Sequence, residues 1–223
     1  MAAPPGPAFF RWDSQTKTPD LEHLDKLPSE FFRDEEGKKR FALLCKAAEG
    51  LGDKEGSKRI ALLMKSKDPI EREVAVTAAG AFDDLPRLLE ALKDDQNADV
   101  RRQAVLVLRH WLGRGPGQIK ALAQAAAGLG YPMASNKTVV HLLFGFDDHE
   151  RRQPQTYELL IENLKHKQLA IRELAHWHLV RLAPAGQKIA YDAAAPEAQR
   201  LAAAALWEKL IPAGELPPAP MSK

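Results

Sequence analysis

Three copies of an Arg-x-x-Ala frame constrain this chain more than any other feature: Arg72-Glu73-Val74-Ala75, Arg101-Arg102-Gln103-Ala104 and Arg172-Glu173-Leu174-Ala175. The copies start 29 and 71 residues apart, which fits units of roughly 30 to 40 residues with one degenerate unit between the second and third. Val100 and Ile171 precede the second and third arginines, and Glu71 precedes the first. Each clear copy follows another helical pattern, so the unit is a helix pair. Leu85, Leu88, Leu89 and Leu92 form one such face, and Tyr157, Leu160, Ile161 and Leu164 another. Within the third copy Ile171, Leu174, Ala175, His178, Leu179 and Leu182 keep to one stripe of a 3.6-residue helix. In the second, Val100, Ala104, Val107, Leu108 and Trp111 form the stripe, yet Val105, Leu106 and Leu112 are apolar off it, which predicts a helix sandwiched between neighbours.

Composition agrees with a helical chain. There are 35 Ala and 30 Leu against 8 Val and 7 Ile, so the apolar content lies in helix formers rather than in β-branched residues, and the expected class is all-α. A length of 223 residues suits one well-buried domain or a short repeat array, not two ordinary enzyme domains. Residues 1–17, rich in Pro and Gly, read as an irregular arm with Phe9, Phe10 and Trp12 as anchors. Thr18-Pro19-Asp20 supplies a cap, a first-turn proline and an acid, predicting a short helix to Leu27 that Pro28 stops. Helices are expected over 36–50, with Phe41, Leu44, Cys45 and Ala48 on one apolar face, and over 57–65, with Ile60, Leu63 and Met64 buried. Asp68-Pro69 reads as the cap and first position of the next. A last helix from Pro196 to Ile211 seals the stack through Leu201, Ala204, Ala205 and Leu210, with Trp207 at its edge. The domain therefore spans 18–211, and 212–223 form a Pro-rich extended tail.

The Asp68-x-x-x-Arg72-x-x-Ala75 and Asn97-x-x-Val100-Arg101-x-x-Ala104 frames resemble the HEAT repeat, especially its bacterial HEAT-like type, across residues 57–182, with the segment 115–146 departing from the pattern. The stretch from Ile171 through Tyr191-Asp192 to Leu210-Ile211-Pro212 is also similar to the end of bacterial HEAT-repeat proteins without an assigned activity. The resemblance implies an α-solenoid of stacked helix pairs acting as a non-catalytic scaffold or adaptor that binds a protein partner along its inner surface. A minority of that family binds nucleic acid, including alkylpurine glycosylases of similar size, and another minority acts on bilin chromophores. Nucleic-acid binding, with or without DNA glycosylase-like chemistry, is thus the second reading and a chromophore lyase-like role the third.

Charge is unevenly distributed. Residues 1–99 carry 16 Lys and Arg against 20 Asp and Glu, whereas 100–146 hold Arg101, Arg102, Arg109, Arg114, Lys120 and Lys137 with no acid. Arg72, Arg101 and Arg172 occupy equivalent positions, so they share a structural role: holding a helix start to a neighbouring carboxylate or carbonyl. Arg102, Arg109, Arg114, Lys120 and Lys137, with Trp177 or Tyr131 to stack on, form the expected binding surface, either a phosphate track or a mixed surface neutralised by Asp94, Asp95 and Asp99.

Signs of catalysis are weak. His176 and His178 are two apart on a helix and point away from one another, so they do not share a metal ion, and His178 falls on the core stripe. His141, His149 and His166 are scattered, Cys45 reads as a small buried apolar residue, and Tyr191-Asp192 as a pair fixing the loop before the last helix. No nucleophile elbow, P-loop or dinucleotide fingerprint is present, so no enzyme activity, cofactor or metal is expected. The N-terminus lacks a positive n-region and apolar h-region, and the stretch 121–136 is broken by Gln124, Gly128, Gly130 and Pro132. With a single cysteine, these features predict a cytoplasmic protein with no membrane partner.

Overall fold

The computed structural model describes residues 8–12, 19–23, 34–48, 55–130 and 132–218. The chain divides into two compact units, Met1–Leu43 and Leu44–Lys223. In the first, Ala8–Trp12 (β1) pairs antiparallel with Pro19–His23 (β2), in register from Ala8 opposite His23 to Trp12 opposite Pro19. Two expectations are corrected by this pairing. Residues 8–12 are a strand rather than irregular arm, and Pro19-Asp20 opens a strand rather than a helix, so the ladder crosses the 17/18 boundary expected for the domain. Ala-Phe-Phe-Arg-Trp has the aromatic content that suits a pleated ladder, and a proline is tolerated at the first residue of a strand. Backbone pairing across a short connection overrode the local helix-start signal. Thr18 and residues 24–27 of the expected helix, with Pro28 that was to stop it, lie outside the described residues.

Helix α1 (Glu35–Ala48) crosses from the first unit to the second. Lys38–Glu35 and Arg40–Glu36 ion pairs of 2.6 and 2.9 Å support its exposed first turns. Cys45 is exposed, contrary to the expectation of a small buried apolar residue, so sharing a helix side with the half-buried Phe41 one turn earlier does not bury it.

The second unit continues with α2 (Gly56–Leu63), α3 (Pro69–Ala81), α4 (Leu85–Ala91), α5 (Ala98–Leu112), α6 (Gln118–Gly128), α7 (Met133–Phe144), α8 (Pro154–Asn163), α9 (Leu169–Leu182) and α10 (Glu197–Leu210). Helix starts obey capping chemistry. The Asp68 carboxylate accepts the Ile70 N–H at 2.9 Å with Pro69 at the first position of α3, and Asn97 accepts the Asp99 and Val100 N–H groups at the start of α5. The irregular segment 115–146 holds the α6–α7 pair.

Consecutive helices pack as pairs, α2 on α3, α4 on α5, α6 on α7 and α8 on α9, and the second members also meet, α3 with α5, α5 with α7 and α7 with α9. One core runs through them, including Ile60, Leu88, Leu92, Leu108, Leu122, Leu142, Leu160 and Leu174. The alanines of the repeat frame, Ala75, Ala104 and Ala175, are all fully buried, since a small residue there lets neighbouring helices approach. Gly80 marks the closest approach of α3 and α5, where an added Cβ would sit 2.1 Å from Val107 Cγ1. Helix α5 also touches α9 directly, so the α6–α7 pair does not separate its neighbours as a regular stack would.

Two side-chain expectations change. Leu106 is 47% exposed while Val105 and Leu112 are buried, so α5 keeps one open side. In α10, Leu201 and Ala205 face solvent, and Trp207, expected at the edge, is fully buried beside Ala203, Ala204 and Ile211. The reason is Gly186, where an added Cβ would lie 2.2 Å from the Trp207 ring: a missing side chain in the preceding turn makes the slot for the indole. Among the described residues no helix is long and apolar enough to cross a membrane.

Candidate functional site

The repeated arginines all stand at the fourth position of their helices, α3, α5 and α9, and each reaches into a neighbouring loop. Arg72 donates Nη1–H to Asp94 at 2.8 Å. Arg101, 1% exposed, donates Nε–H to Glu173 (2.6 Å), Nη1–H to the Asp94 carbonyl (2.8 Å) and Nη2–H to Asp192 (2.5 Å). Arg172 donates to the Ala193 carbonyl (2.7 Å) and to the His166 and Lys167 carbonyls (both 2.8 Å). Asp94 thus receives one arginine on its carboxylate and another on its carbonyl, joining two turns of the repeat. Burial pushes the Glu173 carboxyl above the ordinary carboxylate range, with the Arg101 charge pulling the other way.

The basic residues singled out as a surface differ in their partners. Arg102 is paired with Asp99, and Arg114 with Asp83 at 2.7 Å and the Gly80 carbonyl at 3.2 Å. Lys120 is exposed on α6. Lys137 lines an open cleft of about 630 Å³ formed by α6, α7 and the turn beyond, together with Ile119, Met133, Val140, His141 and Phe144. Tyr131 lies outside the described residues.

Arg109 and Trp177 are brought together with residues that sequence reasoning missed. The Arg109 guanidinium lies 4.7 Å from the Trp177 ring centroid and that of Arg181 3.7 Å. Arg109 donates Nη1–H to the Leu143 carbonyl at 2.6 Å, and His178 donates Nε2–H to the Leu142 carbonyl at 2.6 Å, so α5 and α9 together satisfy the orphan carbonyls ending α7. Gly145, with φ of 92°, turns the chain there, and Arg151 grips the Phe146 carbonyl at 2.8 Å. Burial and the nearby Arg181 and Arg151 charges depress the Arg109 pKa. The i, i+4 spacing of Trp177 and Arg181 was a readable signal of their contact.

His176 and His178 serve packing. Burial pulls His178 down to about 4, and its ring sits edge-on to Phe146 and Trp177. His176 is also held at about 4, chiefly by burial, against the Tyr191 ring at 4.8 Å. Its Nε2 is buried without a hydrogen-bond partner. Tyr191 donates its hydroxyl to the Leu164 carbonyl at 2.7 Å and burial raises its pKa, while Asp192 accepts the Ala194 N–H at 2.9 Å. Both therefore tie down the loop before α10. Among the described residues no group of three or more His, Cys, Asp or Glu side chains is placed to hold a metal ion.

No protein-family model, no curated protein and no solved structure matches the chain.

Proposed function

We propose that this chain is a HEAT-like α-solenoid that acts, in the cytoplasm, as a non-catalytic scaffold binding a protein partner along the helices that close each pair. The observation carrying this reading is the mixed surface of α5. Arg102 is neutralised by Asp99, Arg114 by Asp83, and between the two arginines Leu106 stands 47% exposed. Two of the side chains that would track a phosphate backbone are held in ion pairs, and an apolar contact is offered beside them, a mixture typical of protein interfaces. The repeat architecture is supported by the shared position of Arg72, Arg101 and Arg172 and by the successive α3, α5, α7 and α9 contacts.

The test is a photoreactive amino acid in place of Leu106, irradiated in the cell. Discrete protein adducts resistant to nuclease are expected. Nuclease-sensitive adducts, or none at all, would refute protein binding at this face.

One observation favours the second reading, nucleic-acid binding: Arg109 and Arg181 lie over Trp177, and Arg151 is near enough to act on Arg109. It predicts binding of a labelled oligonucleotide that falls steeply with salt.

A further inference from the structure

We infer that the cleft between α6 and α7, continuous with the arginines around Trp177, is a docking site for a protein segment that carries an apolar anchor and, close behind it, acidic residues. This rests on the protein-binding reading above and names the partner's chemistry. The cleft, about 630 Å³, is large enough for one or two apolar side chains. Its apolar walls are open to solvent in the free protein: Met133 is 77% exposed, Phe144 62% and Ile119 39%. Three large apolar side chains around one depression form a patch of the kind that marks interaction sites.

Charge selects the residues next to the anchor. Gly145 is shared between the two halves of the site: it lines the cleft, and a Cβ built on it would lie 3.0 Å from Arg109 Nη1. A chain leaving the cleft past Gly145 therefore meets Arg109 and then Arg181. Arg109 is engaged by the Leu143 carbonyl and Arg181 by the Trp177 carbonyl, at 3.5 Å, and among the described residues neither has a carboxylate partner. Burial first, and then the neighbouring Arg181 charge, disfavour the charged form of Arg109, and an incoming carboxylate offsets both. Lys137 adds a further cation at the cleft wall.

The same geometry disfavours a polyanion. Trp177 already lies under two guanidiniums, so no open ring awaits a base, and Asp147, Asp148 and Glu150 border the turn beyond α7. Asp147 and Glu150 cap each other's N–H groups at 2.8 Å, which leaves their negative charge in place against a long phosphate chain, while Asp148 is paired with Arg151 at 3.3 Å. Glu150 also lines the cleft, its carboxylate accepting the Asp147 N–H, so the apolar anchor sits there and the segment's one or two carboxylates lie beyond Gly145, at Arg109 and Arg181.

The experiment is selection of a random displayed-peptide library on the full chain, and then fluorescence anisotropy of the enriched peptides, a labelled single-stranded oligonucleotide and phosphatidylglycerol-containing vesicles. Enriched peptides should pair Phe, Leu, Ile or Met with Asp or Glu. Phe144→Asp and Arg181→Ala should each weaken them about tenfold or more, whereas Lys209→Glu, at an exposed position of α10, should not. Both target side chains are exposed, so these variants fold. Enrichment of basic peptides, no enrichment, equal binding by the variants, or preferential binding of the oligonucleotide or vesicles overturns the site. If that happens while a photoreactive residue at 106 still captures protein, the scaffold reading stands and the cleft alone is wrong; loss of both refutes both.

Discussion

Replacing Arg101 with Met tests the account of the repeat most directly, because this side chain joins α5 to α9 across 72 residues of sequence. The substitution removes the partner of Glu173, whose side chain is 5% exposed, and the donor to the Asp94 carbonyl; Asp192, 55% exposed, regains water at little cost. At neutral pH the stranded carboxylate escapes burial as an anion by taking up a proton. Starting from an ordinary value of 4.5, that uptake at pH 7 sets a ceiling of about 3 kcal/mol. The lost carbonyl bond adds about 1 kcal/mol, so Arg101→Met should cost about 4 kcal/mol at pH 7 and lower Tm by about 10 °C. The sign with pH comes from the raised folded pKa. Stability carried by a raised carboxyl is fully present below its unfolded pKa and is lost as pH rises, so the deficit should shrink to about 1 kcal/mol near pH 4.5. Arg101→Met/Glu173→Leu removes both buried charges and should recover most of the loss at pH 7, since an apolar pair substitutes well for a buried ion pair. Urea denaturation monitored by far-UV circular dichroism reads all three. A deficit equal at both pH values, or a double variant as unstable as the single, would show that Glu173 is not the residue left stranded.

Other consequences can be checked with the same measurement. The His178 pKa, pulled from 6.5 to about 4, lies below its unfolded value, so it makes stability decline as pH falls from about 6.5 to about 4, by up to about 3 kcal/mol; His176 adds a like slope, so His178→Gln, which keeps a donor for the Leu142 carbonyl, should roughly halve the decline, and an unchanged slope would exclude His178 as a source. Gly80→Ala should destabilise by about 1–3 kcal/mol through its clash with Val107, and Val107→Ala should rescue it. Asp83 has φ of 56° and accepts the Trp111 Nε1–H at 2.7 Å, so Asp83→Ala should cost about 2 kcal/mol, with Asp83→Asn much milder; equal losses would mean that neither the backbone conformation nor the acceptor matters.

Much of this molecule was legible in its residues before any tertiary contact was known. The helices outside 115–146 from α1 onward, the Asp68 and Asn97 caps, the equivalence of Arg72, Arg101 and Arg172, and the core place of His178 come from period and capping, which act within a few residues, whereas α6 and α7 were not read from the pattern. The helix-pair reading is local in the same sense. Tertiary structure decided what depends on partners far along the chain. The β1–β2 ladder prevailed over a plausible helix start, and Gly186 opened a slot that buried Trp207. Local sequence showed six cations without an acid between residues 100 and 146, but ion pairing is set by approach in space. Asp83 reaches back to Arg114 from α3's end, Glu173 and Asp192 reach Arg101 from the far side of the core, and Arg109 meets Trp177 and Arg181 only because α5 touches α9 directly. Pattern along a helix tells which face is apolar; only the packing of one helix on another tells which charges remain to meet a partner.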